Sequence, residues 1–316
     1  MSVKSSTLPA RLAYKKPKLI NTVSPGATAV LHLIFILYSL ACILPMLIII
    51  GVSFTQEDQI LKHGYRIIPP IFSVEAYTYL FKMNLVGTAY RNTIVATLAG
   101  TAICLVLVTL YAYPLSRKDF RYTKFFTFYL FFTMLFSGGL VPYYIVCRQV
   151  LGLYDNIYAL FIPLGFSAFW VIVMRSFFKT QIPDEIIESS RIDGAGEWRT
   201  LIQIVLPLAL PGLATVALFA VIGIWNNFFT CLMLTRSDEY TNLQYMIYRS
   251  LNSIRFLKQA ASQMGGTANV QGELTKLPDE SFRMSMAVIT VGPVIFTYPF
   301  FQKYFVKGLT IGALKG

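Results

Sequence analysis

The sequence predicts an all-α fold: an integral membrane helical bundle of six transmembrane helices with both termini cytoplasmic. Three observations predict it. Apolar residues fill 55% of the 316 positions and charged residues 13%, where a soluble domain carries about 25% charged residues. Six stretches lack Lys, Arg, Asp and Glu altogether, at 27–54, 93–113, 125–146, 157–174, 206–234 and 284–301. Each reaches the length of about 18 residues from which a helix can cross the hydrocarbon of a bilayer, where it satisfies its own backbone hydrogen bonds. The third observation is the placing of the basic residues. Lys4, Arg11, Lys15, Lys16 and Lys18 precede the first stretch; Arg117, Lys118, Arg121 and Lys124 follow the second. Arg175, Lys179, Arg191 and Arg199 follow the fourth, and Lys303, Lys307 and Lys315 follow the sixth. If the stretches alternate in direction these segments share one side, which the positive-inside rule makes the cytoplasm.

Taken in order, residues 1–26 form a basic cytoplasmic lead. It is too long, and the apolar run behind it too extended, for a cleaved signal, so the first span is expected to be retained. Residues 27–306 make one six-span domain with long outer loops at about 55–92 and 235–283. The second of these loops has a glycine-bearing tip at 263–272, and 307–316 is a cytoplasmic tail. Pro45, Gly138, Gly139, Pro142, Pro163, Pro207, Pro211 and Pro293 interrupt the spans, as membrane helices tolerate where a neighbour or a water-filled route satisfies the freed backbone. Cys42, Cys104, Cys147 and Cys231 show no paired spacing and read as small apolar residues without a metal or disulfide role. The formal charge of +12 would suggest nucleic acid for a soluble chain; in a membrane bundle it reports topology, and no nucleic acid partner is expected.

The cytoplasmic segment 179–205 is the informative one. Pro183 suits a helix start. Asp184 and Glu185 in the first turn and Arg191 in the last match the helix dipole, and Gly194 is placed for a left-handed cap. A short helix of two to three turns follows, then a second beginning near Glu197 and running into the fifth span. Ile186, Ser189 and Ser190 share a face that admits close approach by a partner. Packing of this turn on its own bundle is the other local reading.

Glu188-Ser189-Ser190, three residues, Gly194, nine residues and then Ile204-Val205-Leu206-Pro207 resemble the EAA loop of ABC importer permeases, with serines in place of both alanines. Arg191 to Ala195 and Pro211 resemble the carbohydrate-uptake, maltose-type branch. Tyr298 to Gly316, Ser137 to Pro142, Leu151-Gly152-Leu153 and Trp225-Asn226-Asn227 are similar to its MalG-like subunits, closest to the lipoprotein-dependent complex-oligosaccharide type. The resemblance implies a type I ABC importer permease in a bacterial cytoplasmic membrane. It implies a second homologous permease as partner, two ATPase subunits that hold ATP and Mg, and an extracytoplasmic solute-binding protein that delivers an oligosaccharide. Glu188, Ser189, Ser190, Asp193, Gly194 and Ala195 are then the ATPase-coupling residues, and the tail reaches between the ATPases. The chain has no GxxxxGK[ST] phosphate loop, in keeping with a motor and cofactors in other chains.

An ion-coupled carrier is the rival, but coupling by protons or sodium ordinarily uses intramembrane carboxylates, and the six stretches have none. An intramembrane enzyme would need a catalytic constellation, and His32 and His63, the two histidines, form none with Ser, Asp or Cys. Trp225, Asn226 and Asn227 combine an indole face with amides suited to sugar hydroxyls, and Tyr143, Tyr144 and Trp170 are candidates for the same route. Joining helices by packing and modest hydrogen bonds is the alternative role for all six.

Overall fold

The computed structural model describes residues 24–82, 85–263 and 280–313. The lead before residue 24, the loop tip at 264–279 and the last three residues of the tail lie outside the described residues. Among those described there is no strand beyond one isolated bridge, Thr55 with Phe72. The chain divides into two units at Leu47/Ile48. The first is most of α1 (Pro25–Ser53), a 29-residue helix that stays unbroken through Pro45 and whose most apolar window is 0% buried, as a lipid-facing helix requires.

In the second unit, α2 (Glu57–His63) and α3 (Glu75–Lys82) occupy what the sequence reads as loop. α4 (Leu85–Ser116) begins eight residues before the expected start at Thr93. It is the axis of the unit, packing on α7 (Ala168–Gln181) and α11 (Leu210–Trp225), and α11 in turn packs on the last helix. The main core joins Val108, Ala112 and Leu115 of α4 to Met174 and Phe178 of α7 and Val216 of α11.

Among the described residues three helices are long and apolar enough to cross a membrane unbroken, or up to six if each bent pair is one span. The third, fourth and fifth apolar stretches are therefore not the single helices expected. α5 (Thr123–Leu135) and α6 (Leu140–Ile145), which continues as a π-helical turn Val146–Val150, meet at 111°. The corner holds Gly139 at φ +86°, a conformation side chains resist. Two 3-10 turns, Ile157–Leu160 and Ile162–Leu164, meet α7 at 48°, around Pro163. The fifth stretch follows α8 (Asp184–Ile192), α9 (Glu197–Thr200) and a π-helical turn Leu201–Val205. It is cut into α10 (Leu206–Leu208), α11 and α12 (Phe229–Leu234), with a bend of 78° before α11. Pro211 lacks the N–H that would bond the Pro207 carbonyl, so the ladder opens there.

Within the loop expected at 235–283, residues Leu243–Gln263 form a helix, α13. The last helix, α14 (Glu280–Ala313), runs unbroken through Pro293 and Pro299. The boundary expected at 306/307 thus has no counterpart in the backbone. Glu57 caps α14 by accepting from Glu280 N and from Ser281 N and Oγ, within 3.0 Å. Cys104, Cys147 and Cys231 are buried free thiols, while Cys42 is exposed.

Candidate coupling site

α8 forms where the sequence places it. Pro183 is its extended N-cap, Asp184 and Glu185 lie in its first turn, and Arg191 lies in its last. Its C-terminus is closed by three backbone donors, Asp193 N to Ser189 O, Gly194 N to Arg191 O and Ala195 N to Ser190 O, each within 3.0 Å. Gly194 sits at φ +77° with open space around its Cα, so a side chain there would meet backbone strain and no clash.

The helix has two distinct faces. Ile187 is 1% exposed and belongs to the main core with Leu201 and Val205 of the following π-helical turn. Ser190 is also buried, which corrects the expectation that it shares an outward face with Ile186 and Ser189. Its hydroxyl donates to Ile187 O at 2.8 Å and pairs with Thr200 Oγ1 at 3.1 Å. It is one turn from Ile187 and follows it inward. Glu188, Ser189, Asp193 and Gly194 are exposed and Ala195 is half-buried. Beside them stand Ile192 at 86% and Trp198 at 67% exposure, large apolar groups left without cover.

A clasp missed at the level of sequence holds the helix at both ends. The turn between α4 and α5 sends Arg117 and Lys118 to Asp184 at 3.2 and 2.7 Å and Asp119 to Arg191 at 2.6 Å. Arg191 also binds Glu197 at 2.7 Å, and Tyr113 donates its hydroxyl to the same carboxylate at 2.9 Å. The Lys118 ammonium holds the Asp184 carboxyl below its ordinary range, Arg191 does the same for Asp119, and Asp119 and Glu197 push the Arg191 guanidinium up. A cleft of about 420 Å³ opens beside this network, walled by Tyr113, Phe120, Trp198 and Leu201. A surface helix tied to core at one face and to a charged turn at its ends can pass a push on its exposed face into the fifth stretch.

The four aromatic residues expected along a sugar route divide among three apolar clusters. Trp225 is 6% exposed, and its Nε1 donates to Thr290 O at 3.1 Å, so its indole serves packing against α14. Asn227 Oδ1 accepts from Thr230 N at 2.9 Å and starts α12. Asn226 is exposed, bonded to Ile222 O at 2.9 Å and to Gln244 at 3.3 Å. Trp170 is half-buried and stacked on Phe219 with centroids 5.1 Å apart. Tyr143 and Tyr144 are half-buried and pack with Cys147, Leu153 and Leu234. The suture beside them was missed as well. Asn92, 0% exposed, donates to Glu239 O and Thr241 O at 2.7 and 2.9 Å, and Thr93 Oγ1 accepts from Leu243 N at 2.8 Å.

The family described as binding-protein-dependent transport system inner membrane component matches residues 22–311. A polygalacturonan/rhamnogalacturonan transport system permease of Bacillus subtilis strain 168, YtcP, is 33% identical over 281 residues, covering 89% of this chain and 95% of that protein. Protein LplC of the same organism is 35% identical over 274 residues, 87% of this chain and 90% of the relative. Among solved structures, a chain of a bacterial ABC transporter involved in import of the acidic polysaccharide alginate superimposes with a TM-score of 0.71 at 28% identity. The match covers 91% of this chain and all of that one.

Proposed function

The chain belongs to the family of binding-protein-dependent transport system inner membrane components, and on that premise we propose that it carries an oligosaccharide inward, driven by ATP hydrolysed in other subunits. It is a multi-pass membrane permease of the sugar ABC importer kind, a transport subunit and not an enzyme. In the proposed assembly each bent pair is one span, giving six, with the basic segments and both termini cytoplasmic. A second homologous permease completes the pathway, and two ATPase subunits bind ATP and Mg. An extracytoplasmic solute-binding protein presents the sugar at the cytoplasmic membrane of a bacterium. The saccharides in the names of the relative and of the structural neighbour support a saccharide cargo.

One observation carries the coupling role: α8 exposes Glu188, Ser189 and Asp193 beside uncovered Ile192 and Trp198, while Ile187 and Ser190 root it in the core. The exposed three take the ATPase contact. Ser190, Gly194 and Ala195 shape the helix and its cap behind them. On the sugar route the exposed Asn226 is the contact and buried Trp225 positions it. In the reconstituted complex, a photo-crosslinking side chain at Ser189 is expected to label an ATPase subunit and one at Ser190 only this chain. Equal labelling from both positions, or none from Ser189, rejects the coupling role.

A further inference from the structure

Arg148 stands on the π-helical turn that ends the third stretch, at the opposite end of the unit from α8. Its guanidinium carbon lies 4.1 Å from the centroid of the Tyr154 ring and 5.6 Å from that of Tyr144, and Nη1 donates to the Tyr144 hydroxyl. Two aromatic faces and one hydrogen bond therefore hold an exposed cation in place. Among the described residues it forms no ion pair, and Nε and Nη2, the edge with two parallel donors, carry no hydrogen bond.

The carboxylate next in sequence to Tyr154 is otherwise engaged. Asp155 Oδ1 accepts from Arg236 N, Ser237 N and Ser237 Oγ, all at 2.9 Å, and the two backbone donors hold its carboxyl below the ordinary range. Arg236, exposed beside it, adds a second cation. Asp155 itself sits at φ 54°, which fixes the turn that presents Tyr154. This corner therefore presents one free, oriented guanidinium edge, a geometry that matches a carboxylate bidentately. Tyrosine rings on either side suit the apolar faces of a pyranose.

We propose that Arg148 is a specificity-determining residue that binds the carboxylate of a uronic acid unit, so that the cargo is an acidic oligosaccharide. This rests on the oligosaccharide reading above and narrows it. The test uses the full complex in proteoliposomes with two probes, trigalacturonate and its neutral methyl ester. Arg148→Gln is expected to lower uptake of the acid about tenfold or more, the worth of a charge-assisted hydrogen bond, and to leave uptake of the ester unchanged. Arg148→Lys restores part of the loss, because an ammonium is a point charge without the planar fork. If Arg148→Gln fails to assemble, Arg148→Lys decides by the same contrast: a fall for the acid alone supports the proposal. An equal fall for both probes assigns Arg148 to docking of the binding protein and overturns it, as does no change for either. Wild-type uptake of the ester but not the acid overturns the acidic assignment while leaving oligosaccharide transport standing. Uptake of neither probe overturns the acidic assignment as well.

Discussion

The two ends of α4 are fastened by different physics. Asn92 near the start of α4 and Ser116 at its end are 24 residues apart on one helix, about 36 Å at the α-helical rise, and Arg117 follows directly. At the Asn92 end the fastenings are buried and directional: an amide with no exposure bonded to two carbonyls, a threonine hydroxyl bonded to a backbone N–H, and an indole N–H bonded to Thr290 O. At the Arg117 end they are ion pairs whose side chains are mostly one-third to nine-tenths exposed. Exposed pairs contribute about 0–1 kcal/mol each, whereas leaving a buried polar group unpaired costs about 1–3 kcal/mol. The first end is built to stay assembled. The second can let go and re-form, as suits the coupling role proposed for α8.

That contrast is broken most directly at Asn92. Asn92→Leu removes the donor to both carbonyls and is expected to cost about 2–4 kcal/mol, read as lowered thermal stability of the purified chain, with Asp119→Ala costing under about 1 kcal/mol. Equal losses would erase the distinction between the ends. Next in size is Gly194→Val. Placing a β-branched residue at φ +77° costs about 1–2 kcal/mol, borne by the cap of α8. Transport and substrate-stimulated ATP hydrolysis should fall together while the chain stays inserted; wild-type rates for both in an assembled complex would show that the cap is not part of coupling.

What the sequence made legible is local. The cap at Gly194, the dipole-matched charges of α8 and the start of α9 are all encoded within some fifteen neighbouring residues. The clasp is not, because Arg117 and Asp119 meet their partners across 67 and 72 residues, and in one dimension those charges report only topology. Asn92 was hidden by its position just before the apolar run that starts at Thr93. The helix breakers were visible, but their effects were not equal. Pro45 and Pro293 each remove one hydrogen bond and sit in continuous helices. Pro207 and Pro211, one turn apart, open the ladder at a single place, and Gly139 turns a corner at φ +86°. Among the candidate sugar residues, the indole of Trp225 read equally as ligand surface or core, and only the packing of α14 chose core.

A smaller effect sharpens the comparison through pH. Asp119 and Asp184 have carboxyls lowered on folding by Arg191 and Lys118. Their stabilisation is therefore complete above the unfolded value near 3.8 and is lost as pH falls through the lower folded value. Between pH 5 and 8 the clasp should be constant, so hydrogen exchange at α8 should show no pH-dependent opening beyond the intrinsic rate. An opening within that window would mean that another group holds the helix.

The smallest expected effect lies within α8 itself, at the serines that stand where the family pattern has alanines. Ser189 is exposed and bonds only Ile186 O of its own helix at 3.0 Å, so Ser189→Ala should change stability by less than about 0.5 kcal/mol. Ser190 joins α8 to α9 through the 3.1 Å contact with Thr200, a residue 1% exposed. Ser190→Ala deprives that buried hydroxyl of its partner and should cost about 1 kcal/mol. Thr200→Ala should cost a similar amount, with the added loss of a buried methyl-bearing side chain. The double variant removes both partners, so the two losses should not add; a coupling energy of about 0.5–1 kcal/mol is expected from the cycle. This makes Ser190–Thr200 a buried, directional fastening at the end where the ion pairs lie. Additive losses would show that α8 is rooted by Ile187 alone and that the hydroxyl pair is incidental.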